Sequence, residues 1–354
     1  MGLILFFLCF FMKILVDKIA SVTKNIPLEH EVKIQRRIKS EEGAVIVVEA
    51  LMDKKIYNQL ELTSGRMSTM QKGDILVVAL GSRRALKGFV GEVPKKLKVG
   101  DVIHILNLGG VAGICTSANV KEVGNALKVR VLGAVLSSKG KPLNIKDYKL
   151  FEPIDDLKMK VPIIVVSGTC MNVGKTSIAC EIIKSATRKG LTVYSAKLAG
   201  IAALKDTENM KDYGAKKTVS IVDAGFTSTV ISPIDSVRVT KGALQYLAKD
   251  KPDLIVVEFG DGVLGEYGVL EILSDPQVQQ SIRAHVGCAH DPAGALMLYE
   301  ICKSIGAPLD VISGPVTDNS VGISFISKHL KITGFNALNQ GEKVFPFLRS
   351  YLKK

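Results

Sequence analysis

The chain has no tryptophan, and aromatic residues make up only 6% of its 354 positions. A surface that stacks unpaired bases on aromatic rings is therefore a poor fit. None of the six cysteines (Cys9, Cys115, Cys170, Cys180, Cys288, Cys302) falls in a C-x-x-C pair. Scattered thiols of this kind are expected to stay reduced, which points to a cytoplasmic protein. There is no internal repeat and no low-complexity tract. Nor is there an apolar run long enough to span a bilayer: Leu3 to Met12 is unbroken but too short, and Lys13 ends it. That run lacks a basic leader and a small-residue cleavage site, and Phe6 occupies the place where a myristoylation motif wants Ser or Thr. Residues 1–11 therefore read as a mis-assigned start, with translation beginning at Met12, or as a short membrane-associating tail.

What the chain does have is glycine, 32 residues of it, with 47% hydrophobic and 23% charged positions. That balance suits an α/β protein with many tight turns and, at this length, two domains. The net charge of +13 is lopsided. Residues 1–150 hold 24 Lys/Arg against 13 Asp/Glu, whereas residues 151–354 hold 23 against 21. A basic first half can face nucleic acid, an acidic protein or an anionic surface, or it can simply be solvated.

Residues 1–42 read as an N-terminal arm with the basic patch Lys33 to Lys39. Residues 43–138 read as a small β-rich domain, with short apolar strands expected at 44–51, 74–80, 86–93, 102–108 and 127–136 between glycine-containing turns. Residues 139–160 are polar and hold Pro142 and Pro153, and so read as a linker. From 161 to 354 the pattern alternates. Buried-type strands are expected at 161–166, 191–196, 254–258 and 309–313. Helices are expected at 175–189, 242–249 and from Asp291-Pro292 to Ser304, with Asp291 as the N-cap. Alternation of this kind predicts a mostly parallel, doubly wound sheet.

The chemistry centres on Gly168-Thr169-Cys170-Met171-Asn172-Val173-Gly174-Lys175-Thr176-Ser177, between an expected buried strand and an expected helix. Glycines let backbone N–H groups turn toward phosphate oxygens, and the helix N-terminus adds free donors and partial positive charge. Lys175 would meet the β- and γ-phosphates and the Thr176 hydroxyl a magnesium ion, as in P-loop NTPases. Gly168, Thr169, Asn172, Val173, Gly174 and Ser177 complete the nucleotide-binding set.

Five residues, not the usual four, separate Gly168 from Gly174. This spacing resembles the P-loop of dethiobiotin synthetase and of the cobyrinic and cobyric acid amide synthetases, a class that also contains partitioning and metallochaperone-type NTPases. The resemblance covers about 154–340. It implies a catalytic role for Lys197, at the end of the strand expected at 191–196. It also implies a magnesium-binding, catalytic role for Glu258, at the end of Leu254-Ile255-Val256-Val257-Glu258-Phe259-Gly260-Asp261-Gly262. A further metal-site acid is expected at Asp206, or that residue merely opens a solvated helix. Asp261 is a second metal candidate or a turn cap. Phe259 and Asp261 replace the small residues of the family's substrate loop. The resemblance also implies that an asparagine near the end of the strand at 309–313, Asn319 here, meets the base. With the Asn-Lys-x-Asp signature of guanine selectivity absent, ATP and Mg2+ are the expected cofactors. A weaker likeness links Gly88 to Val93 and Leu97 to Ile103 with the β-barrel domain of translation GTPases.

Two other clusters stay open. Asp223 to Thr229 is rich in hydroxyls and reads as part of a substrate pocket or as a plain turn. His285, Cys288 and His290 match no structural zinc spacing, and are expected near the substrate beside the helix at Asp291. The whole reads as a P-loop NTPase domain behind a small β-barrel-like domain. Activation of a small carboxylate by phosphoryl transfer is the first expectation, and a switch or maturation NTPase the second. The partners left open are a second copy of the chain and an acidic or nucleic-acid partner for residues 1–150.

Overall fold

The computed structural model describes residues 11–353. Residues 1–10, and with them most of the apolar run raised above, lie outside the described residues. Five strands of the first half are β1 (Val45–Ala50), β2 (Ile75–Leu80), β3 (Val102–Ile105), β4 (Val111–Ala118) and β5 (Leu127–Leu136). They close into a barrel. β1 pairs with β2, β2 runs parallel to β4, β4 pairs with β3, β3 with β5, and β5 returns to β1. Closure removes the unpaired edges an open sheet would expose. β5 shows the pattern that makes this work: Leu127, Val129 and Val131 point inward while Lys128 and Arg130 face solvent. The longest strand missed in the sequence is β4. Gly109-Gly110 precedes it and polar Thr116-Ser117 interrupt it, which hides the apolar run.

Residues 12–42 are not a separate arm. Met12–Leu15 pairs with Glu31–Gln35, which in turn pairs with β5. Val16, Ile19, Val32 and Ile34 are buried in the barrel core, and this burial draws the segment in. The polar stretch 139–160 also packs. Ala44 bridges to Asn144, Ile145 joins the barrel core, and Phe151 joins the next one.

The second half is a seven-stranded, wholly parallel sheet. Its strands in chain order are β6 (Ile163–Gly168), β7 (Val193–Ala199), β8 (Lys217–Ser220), β9 (Leu254–Phe259), β10 (Ile282–Cys288), β11 (Val311–Ser313) and β12 (Thr333–Gly334). Across the sheet the order is β8-β7-β9-β6-β10-β11-β12. Helices α1 (Lys175–Arg188), α2 (Lys205–Asp212), α3 (Pro233–Ala248), α4 (Pro292–Ser304) and α5 (Ala337–Leu348) cover both faces. The side-chain alternation of β6 sorts them. Ile163 and Val165 pack with α3 and α4, while Ile164 and Val166 pack with α1, α2 and α5. β6 and β9 are buried along their whole length, so their C-terminal ends are held rigidly side by side. α5 had no motif to announce it; Val344, Phe345 and Leu348 seat it with α1 in one core.

The two halves interlock. Ala202 and Val222 of the second half lie in the barrel's own core. Lys24 pairs with the buried Asp223 at 2.9 Å, Asn25 donates to the same carboxylate at 3.1 Å, and Asn107 donates to the Ala202 carbonyl at 2.5 Å. Thr227 bonds Glu42, while the Thr229 hydroxyl stays within the second half, accepting from the Gly200 amide at 3.0 Å. Within 223–229, Asp223 and Thr227 are therefore bonded across this seam.

Candidate nucleotide site

The P-loop leaves the C-terminal end of β6 and opens α1. Asn172 (φ 61°) and Gly174 (φ 86°) both adopt the left-handed conformation, which reverses the chain just before the helix. Lys175 follows, 3% exposed, its Nζ folded back onto the Cys170 carbonyl at 2.6 Å. Burial lowers its pKa, against the pull of Glu258. A neutral carbonyl is a weaker partner for this ammonium than a phosphate, which offers charge as well as hydrogen bonds.

Three elements far apart in sequence converge on Thr176. Its hydroxyl donates to Glu258 Oε1 at 3.0 Å, from the end of β9, and lies 3.3 Å from Asp206 Oδ1, in the first turn of α2. Asp206 also forms an ion pair with Lys197, from β7. The electrostatics follow from burial. Glu258 is pushed up to about 7 by burial and then by the neighbouring Asp206, with Lys197 and Lys175 opposing. Asp206 resists burial because Lys197 holds it ionised, and its pKa is lowered. Lys197 is raised: burial works against its charge, but Asp206 and Glu258 outweigh it. One carboxylate oxygen, Glu258 Oε2, is buried without a hydrogen-bond partner. A hydroxyl, two carboxylates and an orphaned buried oxygen form the hard, oxygen-only donor set that suits Mg2+. Gly260 matters to this arrangement, since a Cβ there would stand 2.7 Å from Lys197 Cε and 2.5 Å from the Ala199 carbonyl.

A cavity of about 590 Å³ opens over these groups. Asn172, Gly174, Lys175, Thr176, Ser177, Lys197, Asp206 and Glu258 line it, so most residues singled out in the sequence come together there. Thr169 does not; with Cys170 it lines a different cleft. Gly168 and Val173 support the loop from within β6 and the core. Asn319 is elsewhere. It is an exposed N-cap whose side-chain oxygen accepts from Val321 N at 3.0 Å. The cavity is also lined by Gly314, Pro315, Asp318 and Asn336, with Asn336 donating to Asp318 at 2.9 Å. Asn336 follows the edge strand β12, and no motif marks it.

The histidine and cysteine cluster does not assemble a site. His285 is buried, hydrogen-bonded to Ser167 at 2.7 Å and to the Ala307 carbonyl at 2.9 Å, and burial drives its pKa down to about 4. Cys288 is buried and His290 is exposed. Asp291 does cap α4, accepting from Gly294 N at 2.9 Å. Among the described residues no group of three or more His, Cys, Asp or Glu side chains is arranged to hold a metal, so a magnesium ion here would need the Thr176 hydroxyl as well as the acids.

A parallel sheet, a glycine-turned loop entering a helix at the end of its central strand, a buried lysine and a hydroxyl facing two acids define a P-loop NTPase domain, here joined to a β-barrel. No protein-family model matches the sequence, and no curated protein matches it. Solved structures similar to it include the signal recognition particle receptor FtsY from Elizabethkingia anophelis (14% identity over 55% of this chain and 66% of that one, TM-score 0.37). Others are a DUF1611 family protein from Anabaena variabilis (11% identity, 56% and 59%, TM-score 0.40) and cell division protein FtsY from Thermotoga maritima (16% identity, 59% and 75%, TM-score 0.39). The chain spans less than two thirds of the first two structures' own length. Among the described residues no helix is long and apolar enough to cross a membrane.

Proposed function

We propose that the chain is a magnesium-dependent NTPase whose nucleotide state is read by its β-barrel. The observation that carries this is the continuity from Thr176 to Asp206, at the start of α2, and from the start of α2 into the barrel. There Glu61, buried at the end of the short strand Gln59–Glu61, accepts the amides of Leu204 at 2.6 Å and Lys205 at 2.7 Å. In this reading Lys175 leaves the Cys170 carbonyl for the phosphates. The α1 N-terminus and Lys197 offset the charge that develops on the transferred group. Thr176, Glu258 and Asp206 would hold magnesium, which supplies charge neutralisation of the phosphate oxygens. Any shift of Asp206 toward that ion pulls on the helix start that Glu61 clamps. A partner for the barrel would complete the switch; its net charge of about +11 suits an acidic protein or nucleic acid.

A second reading, phosphoryl transfer to a small carboxylate as in dethiobiotin synthetase, has its own support. Lys197 lines the nucleotide cavity and also a small cavity on the barrel side. The base is open to the same comparison. Asp318, in the lining of the nucleotide cavity, offers a carboxylate acceptor, which suits the N–H donors of guanine better than adenine. This favours GTP over the ATP expected from sequence.

The deciding measurement is phosphate release by the purified full chain, with and without small carboxylates and amines. Slow turnover that no small molecule changes supports the switch, and strong stimulation by a small acid supports transfer. Lys175→Ala is expected to reduce nucleotide affinity by a hundredfold or more; normal binding in that variant would sink the whole assignment.

A further inference from the structure

Arg83 is a charge without a counter-charge. It belongs to the short strand Arg83–Arg84 at the barrel's rim, is 3% exposed, and has no carboxylate within ion-pair distance among the described residues. Its Nη1 donates to the Leu106 carbonyl and to the Tyr57 hydroxyl at 3.1 Å, and its guanidinium lies 5.7 Å and 5.8 Å from the ring centres of Tyr57 and Phe89. Its Nε is buried and has no hydrogen-bond partner. A buried, half-satisfied guanidinium is costly to keep in an apolar setting unless something negative visits it.

Something can. Arg83 borders a cavity of about 70 Å³ between the two halves, closed on the other side by Met171 of the P-loop, Lys197, Gly260 and Asp261. Met171, Lys197 and Gly260 also line the nucleotide cavity, so the two spaces share a wall. Toward solvent, Ala85 and Asp261 are shared with a wider cleft of about 690 Å³ that runs between the barrel rim and the loop after β9. The acid at this junction is Asp261, whose pKa is raised by burial against the Gly262 amide, Lys175 and Arg83. Lys197 is already paired with Asp206, so among the described residues the cation on this cavity without an ion-pair partner is Arg83.

We infer that this seam cavity is a second binding site, for a small molecule bearing a carboxylate, with the Nε edge of Arg83 as its anchor. The planar guanidinium edge matches two carboxylate oxygens, a cavity of this size takes one such group, and the cleft takes the remainder of the molecule. Neither half makes the site alone. Lys197 and Met171 come from the nucleotide domain, and Arg83 comes from the barrel. The inference rests on the nucleotide reading only for what lies beyond the shared wall; the anion site itself does not need it.

The test is calorimetric titration of the full chain with acetate and with succinate, with and without saturating MgADP, alongside inorganic phosphate. The wild-type chain is expected to bind succinate in the millimolar range or tighter, and Arg83→Gln to bind it at least tenfold more weakly. Gly88→Ala is the second variant, because its Cβ would stand 2.6 Å from Arg83 Nη2 and displace the guanidinium while leaving the charge in place; it too should lose affinity severalfold. Failure of the wild-type chain to bind either carboxylate, or equal affinity in both variants, overturns the proposal, as does binding of phosphate alone that neither variant changes. Loss of MgADP binding with carboxylate binding intact would instead count against the nucleotide reading.

Discussion

Glu61, in the first half of the chain, holds the amide of Lys205, the first residue of α2, at 2.7 Å, one residue before Asp206. The Ser21 hydroxyl donates to the same carboxylate from the barrel side. The acid that faces Thr176 is therefore positioned by the barrel through a buried, charge-assisted contact. Hydrogen bonds to a charged group contribute about 1.5–3 kcal/mol each. Glu61→Gln is expected to loosen the start of α2: amide exchange over 200–212 should quicken, and the KM for the nucleotide should rise severalfold with little change in global secondary structure. Unaltered exchange in that segment would remove the barrel from the switch.

Glu258 and Asp206 are expected to act through the metal rather than through the base or sugar. Glu258→Gln should lower turnover by about a hundredfold or more, while nucleotide affinity measured without magnesium stays within a few fold. Equal losses with and without magnesium would show that Glu258 supports the fold instead.

Asp318 is expected to decide the base. GTP should bind more tightly than ATP, and Asp318→Ala should narrow the difference, chiefly by weakening GTP. Competition of each nucleotide against a fluorescent analogue measures this directly. Tighter ATP binding, unchanged in the variant, would return the base to adenine.

His285 makes a prediction about pH. Burial holds its pKa at about 4 in the folded chain, against 6.5 when free. The unfolded chain thus binds the extra proton first as pH falls. Stability from this group is complete above about pH 6.5 and is lost on the way down to about 4, by up to about 3 kcal/mol. Denaturant midpoints measured between pH 7 and 4 should show the slope, and His285→Asn should lack it even if that variant is less stable throughout.

The nucleotide loop and its flanks were legible because their signal is local. β6, Gly174, Lys175 and α1 are contiguous, and the turn, the free amides and the helix start all follow from neighbours in sequence. α3 was half seen: its Ser232 cap and Pro233 start lie upstream of the apolar stretch that announced it. β4 was missed because glycine and hydroxyl residues break its pattern, although barrel closure needs it. Asn319, expected at the base, is not in the cavity lining, where Asp318 and Asn336 stand. Which residue reaches a base depends on how α5 and β12 return over the sheet, and that no motif records.

By itself the sequence determined the class of chemistry, since a P-loop is a short stretch whose backbone conformation and lysine are specified in place. Only the tertiary structure decided what that loop answers to. Glu61 meets α2, and Arg83 faces Lys197, across well over a hundred residues of chain. Such pairings arise when a closed barrel and a parallel sheet bury Ala202 and Val222 against each other's cores. The docking is set by the shape and burial of whole surfaces, which no local pattern of residues encodes.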